Sequence, residues 1–129
     1  MSDRRPVSTS SAPKAIGPYS QGVVAHGFVY TAGQIALDPA SGAMVGGGDV
    51  ARETERVLES VKAILTAAGT SLELVVRCDV FLADLADFGA MNEVYGRYFS
   101  ANAPARVTVE AARLPKDARV EIAAIAALP

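Results

Sequence analysis

The chain has too few cysteines and histidines for the sites that these residues usually build. Among its 129 residues there are one cysteine, Cys78, one histidine, His26, and no tryptophan. No disulfide can form within the chain, and no zinc site can be assembled from cysteine and histidine alone. A Ser-His-Asp triad would have to use His26, which lies in a predicted turn, and is disfavoured. We therefore expect no metal centre, and we interpret Cys78, which alternates with apolar neighbours, as a core residue.

Excess charge and long apolar runs are also missing. The formal net charge is −2, whereas a nucleic-acid surface usually shows as a clustered basic face. No apolar run approaches the roughly 18 residues that suggest a membrane span, and the N-terminus lacks the apolar segment of a signal peptide. We predict a cytoplasmic protein that does not bind a membrane. Nucleic acid is disfavoured as a partner.

The length and the polar N-terminus predict the domain organisation. A chain of 129 residues fits one domain, since single domains most often have about 100–150 residues. Residues 1–12 form a polar segment, which predicts a flexible tail. Residues 13–129 are then a single domain, because no linker or internal repeat divides them.

The periodicity of the apolar residues predicts two helices and five strands. Residues 50–68 have apolar side chains at i, i+3, i+4 and i+7, with Asp49 and Gly69 as caps. A second helix is predicted at 88–99. Strands are predicted at 22–25, 28–32, 74–83, 106–112 and 119–126. The order ββαβαββ predicts an α/β or α+β two-layer sandwich, with both helices on one face of one sheet.

Charged residues lie within the last two predicted strands. Residues 113–117 are interpreted as a hairpin loop, and the assumed register has Arg106, Glu110 and Glu121 on one face of the sheet. A guanidinium group matches a planar carboxylate through two parallel hydrogen bonds, and a nearby carboxylate could position or activate water. The alternative is that these charges are ordinary cross-strand pairs.

The last predicted strand also suggests a partner surface. Residues 119–126 are apolar on both sides for most of their length. A sheet that is apolar on both faces needs a second layer, and other subunits could supply it.

Three further positions have both a functional and a structural interpretation. Tyr19 follows Gly-Pro, so its phenol could point into a cleft or pack half-buried. Gly33 ends a strand, where its missing Cβ lets a ligand approach or marks a bulge. Asn92 lies near the apolar stripe of the second helix, where it could contact a ligand or face solvent. The residues alone leave these alternatives open.

Four segments in a fixed order resemble the reactive intermediate deaminase (Rid, YjgF-like) family. They are APKAIGPYSQ, TAGQIALDP, SLELVVRCDVFLADLADFGAMNEVY and PARVTVEAARLPKDARVEIAAIA. The resemblance covers about residues 12–127. It implies a two-layer fold like that of chorismate mutase. It also implies a homotrimer in which the sheets form a central β-barrel, with a ligand cleft at each subunit interface.

The resemblance also implies a reaction. Family members of the deaminase type, the 2-iminobutanoate/2-iminopropanoate deaminases, hydrolyse short 2-imino acids to the 2-keto acid and ammonia, without a cofactor. Two alternatives remain open. Relatives are also described as endoribonucleases or translation inhibitors, and the chain could instead bind small carboxylates without turnover.

The matching motifs imply roles for individual residues. Arg106 matches the arginine that binds the substrate carboxylate, and Glu121 matches the acid that positions water. The other matches are the tyrosine of the GPY motif, the pocket asparagine and two backbone N–H groups, at Tyr19, Asn92, Gly33 and Thr108. Ala32 is a departure, because the family usually has serine there. A hydroxyl that could hydrogen-bond substrate or water is therefore missing.

Overall fold

The structure is a computed structural model that describes residues 3–129. Within this range the chain forms a six-stranded sheet and two α-helices, which confirms the predicted α+β class. The elements are β1 (Arg5–Val7), β2 (Gly22–Ala25), β3 (Phe28–Thr31), α1 (Val50–Ala68), β4 (Val75–Leu82), α2 (Phe88–Tyr98), β5 (Ala105–Glu110) and β6 (Val120–Ala127). Short 3-10 turns lie at Leu72–Leu74, Leu85–Asp87 and Pro115–Asp117.

The first helix has the predicted bounds, and its caps explain why it begins and ends there. Asp49 precedes the first turn and accepts the N–H of Ala51 at 2.9 Å, so one N-terminal donor is satisfied. Gly69 follows the last turn with φ +95°, and its N–H bonds to the carbonyls of Leu65 and Thr66. Glycine adopts this left-handed conformation at little energetic cost because it has no Cβ. Between the caps, the apolar stripe of the helix is buried against the sheet.

The strand order is β1-β2-β3-β6-β4-β5. Strand β4 pairs antiparallel with β6 and parallel with β5. The predicted hairpin between the last two strands is therefore wrong, because β4 lies between them. Residues 113–117 carry the chain past the end of β4 instead. A parallel pair needs a crossover connection, and α2 supplies it between β4 and β5.

This order also corrects the predicted positions of the charged residues. Arg106 lies beside Cys78 on β4, and Cys78 lies opposite Ala124 on β6. Cys78 and Ala124 are buried on the side of the sheet that carries the helices, so Arg106 is on that side too. Glu121 lies opposite Phe81 and has the other parity on β6, so it points to the open side. Arg106 and Glu110 share one face as predicted, but Arg106 and Glu121 do not.

The N-terminal segment contributes to the sheet. Residues 5–7 pair antiparallel with β2, and Val7 is 5% exposed. The predicted flexible tail is therefore wrong for these residues. Only one side chain of this short edge strand is buried, so the polar composition conceals it. Residues 1–2 of the predicted tail lie outside the described range.

The face of the sheet opposite the helices is apolar and open. Large side chains on this face are 38–44% exposed, namely Phe28, Tyr30, Val107 and Val109. On β6, the buried residues of the helix side alternate with partly exposed ones, so the open side is the second apolar side predicted from the sequence. Within residues 3–129, no element covers it.

Two smaller predictions are confirmed. Cys78 is fully buried in the core. His26 is exposed in the turn between β2 and β3, with φ +51°. Neither described helix is long and apolar enough to cross a membrane.

Candidate functional site

A cleft opens between residues 13–19, the end of β3 and the beginning of β6. Its volume is about 420 Å³. Its walls are formed by Pro13, Ile16, Tyr19, Ala32, Gly33, Gln34, Ile35, Leu37, Pro115, Lys116 and Glu121. A concave, largely apolar cleft with a few polar groups is the usual form of a small-molecule site. Four of the sequence-predicted residues therefore share one cleft: Tyr19, Ala32, Gly33 and Glu121.

Glu121 is the acid of this cleft. It is half-buried, and burial raises the pKa of its carboxyl above the ordinary value. A raised pKa brings the carboxyl closer to the pH at which it can both accept and donate a proton. A Cβ atom at Gly33 would collide with Glu121 Oε2. In this structure the carboxylate approaches the backbone closely at position 33 because glycine has no Cβ there.

Gly33 also offers an unpaired backbone N–H. Its neighbours bond in opposite directions: the N–H of Ala32 donates to Gln21 O at 2.8 Å, and that of Gln34 donates to Ile122 O at 2.9 Å. Among the described residues, no acceptor takes the N–H of Gly33. The chain is irregular at Gly33, which agrees with the structural interpretation made from the sequence. The irregularity leaves a donor at the cleft, and contact with a ligand stays a prediction.

Arg106 lies outside the cleft, on the helix side of the edge strand β5. Its Nη1 donates to Asn92 Oδ1 at 2.7 Å. Its guanidinium carbon is 4.7 Å from the ring centroid of Tyr95 and 5.3 Å from that of Phe88, which is cation–π distance. These three side chains all come from α2. Within residues 3–129, Arg106 forms no ion pair, so its charge is held in place but not neutralised.

Asn92 is exposed on α2, as one of the two alternatives predicted. Its amide oxygen also accepts a hydrogen bond from Arg106, which neither alternative included. The sequence did not single out Phe88 and Tyr95. Their spacing with Asn92 on one face of a helix was a usable signal, but only with the pairing of β5 known.

Thr108 lies two residues further along β5. The N–H of Ala111 donates to Leu82 O at 2.8 Å, so it points towards β4. Because successive N–H groups along a strand point to alternate sides, the N–H of Thr108 points away from β4, towards the edge of the sheet. Its hydroxyl is buried without a partner among the described residues. Strand β5 therefore presents the Thr108 N–H and the Arg106 guanidinium close together.

The predicted site residues thus form two separate groups in one chain. We call Tyr19, Ala32, Gly33 and Glu121 the cleft group, and Arg106, Asn92 and Thr108 the edge group. Strand β4 separates β5 from β6, and the two groups face opposite sides of the sheet. Neighbouring strands are about 4.8 Å apart, so no single-chain pocket joins Arg106 to Glu121. The structure shows no group of His, Cys, Asp and Glu within residues 3–129 that could hold a metal ion.

Comparison with known proteins identifies the family. Residues 9–128 match the family described as Endoribonuclease L-PSP, and the chain belongs to it. The 2-iminobutanoate/2-iminopropanoate deaminase of Homo sapiens is 49% identical over 123 residues, which cover 95% of this chain and 89% of that protein. The resemblance to the Rid, YjgF-like family is confirmed.

Solved structures support the same conclusion. The YjgF gene product of E. coli is 44% identical, with a TM-score of 0.90 over 95% of this chain and 98% of that one. E. coli TdcF with bound serine is also 44% identical, with a TM-score of 0.91 over 97% of this chain and 99% of that one.

Replacing Glu121 by glutamine should raise the free energy of unfolding at neutral pH. The unfolded chain ionises Glu121 at its ordinary pKa, but the folded chain does so only at higher pH. The contribution of Glu121 to the stability of the wild type therefore falls as the pH rises through that interval. Glu121→Gln lacks this transition, so its advantage should grow as the pH rises. The measurement is urea unfolding from about pH 4 to about pH 8.

Glu73→Gln is the matched control, because it removes one negative charge from an exposed position in the turn Leu72–Leu74. It should not reproduce the pH-dependent gain. A stability difference between Glu121→Gln and wild type that is the same at every pH would contradict the raised pKa.

Proposed function

We propose that this protein is an imine deaminase that hydrolyses short 2-imino acids, such as 2-iminopropanoate, to the 2-keto acid and ammonia. The observation that carries the proposal is the pair of complementary groups. Arg106 is fixed by Asn92 and two aromatic rings and has no ion-pair partner among residues 3–129, which suits a substrate carboxylate. Glu121 has a raised pKa in an open cleft, which suits a water molecule. The name of the human relative supports the same reaction.

The proposal includes a homotrimer with one site at each subunit interface. The edge group of one copy lies against the cleft group of its neighbour, so a ligand contacts both. The apolar open face, with Tyr30, Val107 and Val109 exposed, packs inward as a central β-barrel. This assembly supplies the second layer that an apolar sheet face needs. It also explains why each chain carries only part of the required chemistry.

Substrate binding uses charge and backbone donors. The guanidinium of Arg106 takes the carboxylate through a planar two-point contact. The N–H groups of Thr108 and Gly33, neither of which points into the sheet ladder, add neutral hydrogen bonds to the polar end of the substrate. Fixing the carboxylate also fixes the adjacent C=N carbon relative to the cleft. The substrate side chain lies against the apolar walls, which include Ile16 and Ile35.

Hydrolysis then needs one water molecule and a group that moves protons. Glu121 accepts a proton from the water as its oxygen attacks the C=N carbon. The electron pair of the C=N bond moves to nitrogen, and a tetrahedral carbinolamine forms. The same carboxyl group returns that proton to nitrogen, which completes the amino group of the carbinolamine. It then takes the proton of the new hydroxyl group and passes it to nitrogen while the C–N bond breaks and the C=O bond forms, so ammonia leaves with the 2-keto acid. One water molecule is consumed, and neither a metal nor an organic cofactor takes part.

Tyr19 and Asn92 have supporting roles in this proposal. Tyr19 is 50% exposed at the cleft rim, where its phenol can cover the substrate once a neighbouring copy is present. Asn92 accepts from Arg106 and so orients the guanidinium fork. Ala32 leaves the rim of the cleft without a hydroxyl.

Two other functions are distinguishable by experiment. The family description names an endoribonuclease, but the net charge is −2 and salt-dependent RNA binding requires cationic contacts to phosphates. An RNA-binding assay at increasing salt tests this activity. A binder of small carboxylates would take up 2-keto acids but would not accelerate imine hydrolysis.

The cytoplasmic location predicted from the sequence remains part of the proposal.

Loss of Arg106 should abolish imine hydrolysis and leave the fold intact. Truncating one partner of a desolvated charge pair costs about 2–5 kcal/mol, or roughly 30- to 5000-fold in kcat/KM. Arg106→Lys should restore activity only in part, because an ammonium keeps the charge without the planar fork. The measurement is ammonia release from 2-iminopropanoate generated in situ, timed against its spontaneous hydrolysis.

Arg97→Ala is the control for that substitution. Arg97 is also an arginine near α2, but it pairs with Glu93 on the exposed side of the helix, so its loss should leave turnover unchanged. Wild-type acceleration that survives in Arg106→Ala would remove the proposed mechanism.

The assembly predicts a mass of three chains. Sedimentation at micromolar concentration should give three times the chain mass of 13.4 kDa. Val107→Asp introduces a charge on the apolar open face and should shift the protein to smaller species with loss of activity, since an unpaired charge is costly to bury. A wild-type monomer that hydrolyses imines would contradict the interfacial site.

Restoring the hydroxyl that the family usually has should change turnover. Ala32→Ser adds a hydrogen-bonding group at the rim of the cleft, so we expect a several-fold rise in kcat/KM or a shift in preference among side chains, as one hydrogen bond contributes about 1 kcal/mol. Steady-state kinetics on a series of 2-imino acids measures both. Identical kinetics for every substrate would exclude Ala32 from the working site.

A further inference from the structure

Gln21 is a buried polar residue next to the cleft that the proposed reaction does not use. Its side chain is among the few buried polar ones, at 4% exposure. Its Oε1 accepts the N–H of Thr9 at 2.7 Å. Its Nε2 donates to three carbonyl oxygens, with distances of 3.0 Å to Thr9, 3.2 Å to Ala12 and 2.8 Å to Pro13. One amide thus fastens the whole segment from Thr9 to Pro13 to the beginning of β2.

The main chain of Gln21 makes a second connection. Its carbonyl oxygen accepts the N–H of Ala32 at 2.8 Å. Pro13 and Ala32 both line the cleft. A single residue therefore bonds through its side chain to one wall of the cleft and through its backbone to another.

The segment between Pro13 and Tyr19 has mainly local hydrogen bonds of its own. The N–H of Tyr19 donates to Gly17 O at 2.8 Å, and the N–H of Ile16 lies 3.4 Å from the Tyr19 hydroxyl. Both Ile16 and Tyr19 are largely exposed. Local bonds give the segment its shape, but they do not fix its distance from β3. The hydrogen bond from Gln21 Nε2 to Pro13 O fixes that distance.

We propose that Gln21 is a positioning residue that sets the width of the cleft between the Pro13–Tyr19 segment and Ala32–Gly33. The inference rests on the proposed function, because the cleft is taken to hold the side chain of the 2-imino acid. The amide is suited to this task, since it offers one acceptor to an N–H and two donors to carbonyl oxygens. A carboxylate in its place would set a second anionic oxygen against those carbonyls.

Gln21→Glu tests the proposal with almost no change in volume. It keeps the acceptor for the N–H of Thr9 and removes the donors to the carbonyl oxygens of Thr9, Ala12 and Pro13. Selection by the size of the substrate side chain should weaken. The ratio of kcat/KM between a one-carbon and a four-carbon aliphatic side chain should change by about tenfold or more, the effect of one well-packed methylene contact. The change should appear mainly in KM, because Arg106 and Glu121 are untouched.

Val75→Ala is the control for a purely structural effect. Val75 is buried at the beginning of β4, opposite Ala126, so its truncation should lower the melting temperature without removing any partner of Gln21. The selectivity ratio should stay at the wild-type value. If Gln21→Glu fails to fold, Gln21→Met supplies the same test, since it keeps the length of the side chain and loses every hydrogen bond.

Limited trypsin digestion gives a readout that does not depend on turnover. Lys14 is exposed and directly follows the fastened segment. Release of the segment should raise the rate of cleavage after Lys14 about tenfold, as detected by mass spectrometry, because proteolysis follows local opening. Faster cleavage together with altered selectivity supports the proposal. Unchanged cleavage, or faster cleavage with wild-type selectivity, overturns it. A wild-type protein that hydrolyses no imine would refute the proposed function instead. The cleavage assay would still test whether Gln21 holds the segment in place.

Discussion

The position of β4 is the constraint on which the rest of the structure depends. It pairs with β6 in one direction and with β5 in the other, so it separates the two strands that carry Glu121 and Arg106. Its parallel partner requires a crossover, and α2 is that crossover. The same helix supplies Phe88, Asn92 and Tyr95, which hold Arg106. The topology therefore determines both where the arginine lies and what fixes it.

Separation of the two charges keeps each of them available. If Arg106 and Glu121 were neighbours on one sheet face, they would form an ion pair, and neither would be free for a ligand. Instead the arginine is held by an amide oxygen and two rings, which leave its charge intact, and the acid lies in an apolar cleft that raises its pKa. As a consequence, one chain cannot complete the proposed site, so the proposed activity depends on assembly.

The sequence predicted what depends on local pattern and missed what depends on distant pairing. The bounds of α1 follow from its apolar stripe and from Asp49 and Gly69. The shared face of Arg106 and Glu110 follows from the period of a strand. The strand order does not follow, because residues 113–117 have the length of a hairpin loop although β4 intervenes. Gln21 could not be recognised either, since a buried glutamine has no periodic signature and its partners lie 8–12 residues away.

The proposed assembly couples the ionisation of Glu121 to substrate binding. Alone, the cleft raises the pKa of Glu121 through burial. An Arg106 guanidinium brought close by a neighbouring copy would oppose that effect, because a nearby positive charge favours the ionised carboxylate. A substrate carboxylate bound to Arg106 neutralises the opposing charge and excludes water, so burial again dominates. With the site empty, the guanidinium would then make the rise in the pKa of Glu121 smaller. With the substrate bound, the pKa would rise again, and Glu121 would be a stronger base when the water must give up its proton.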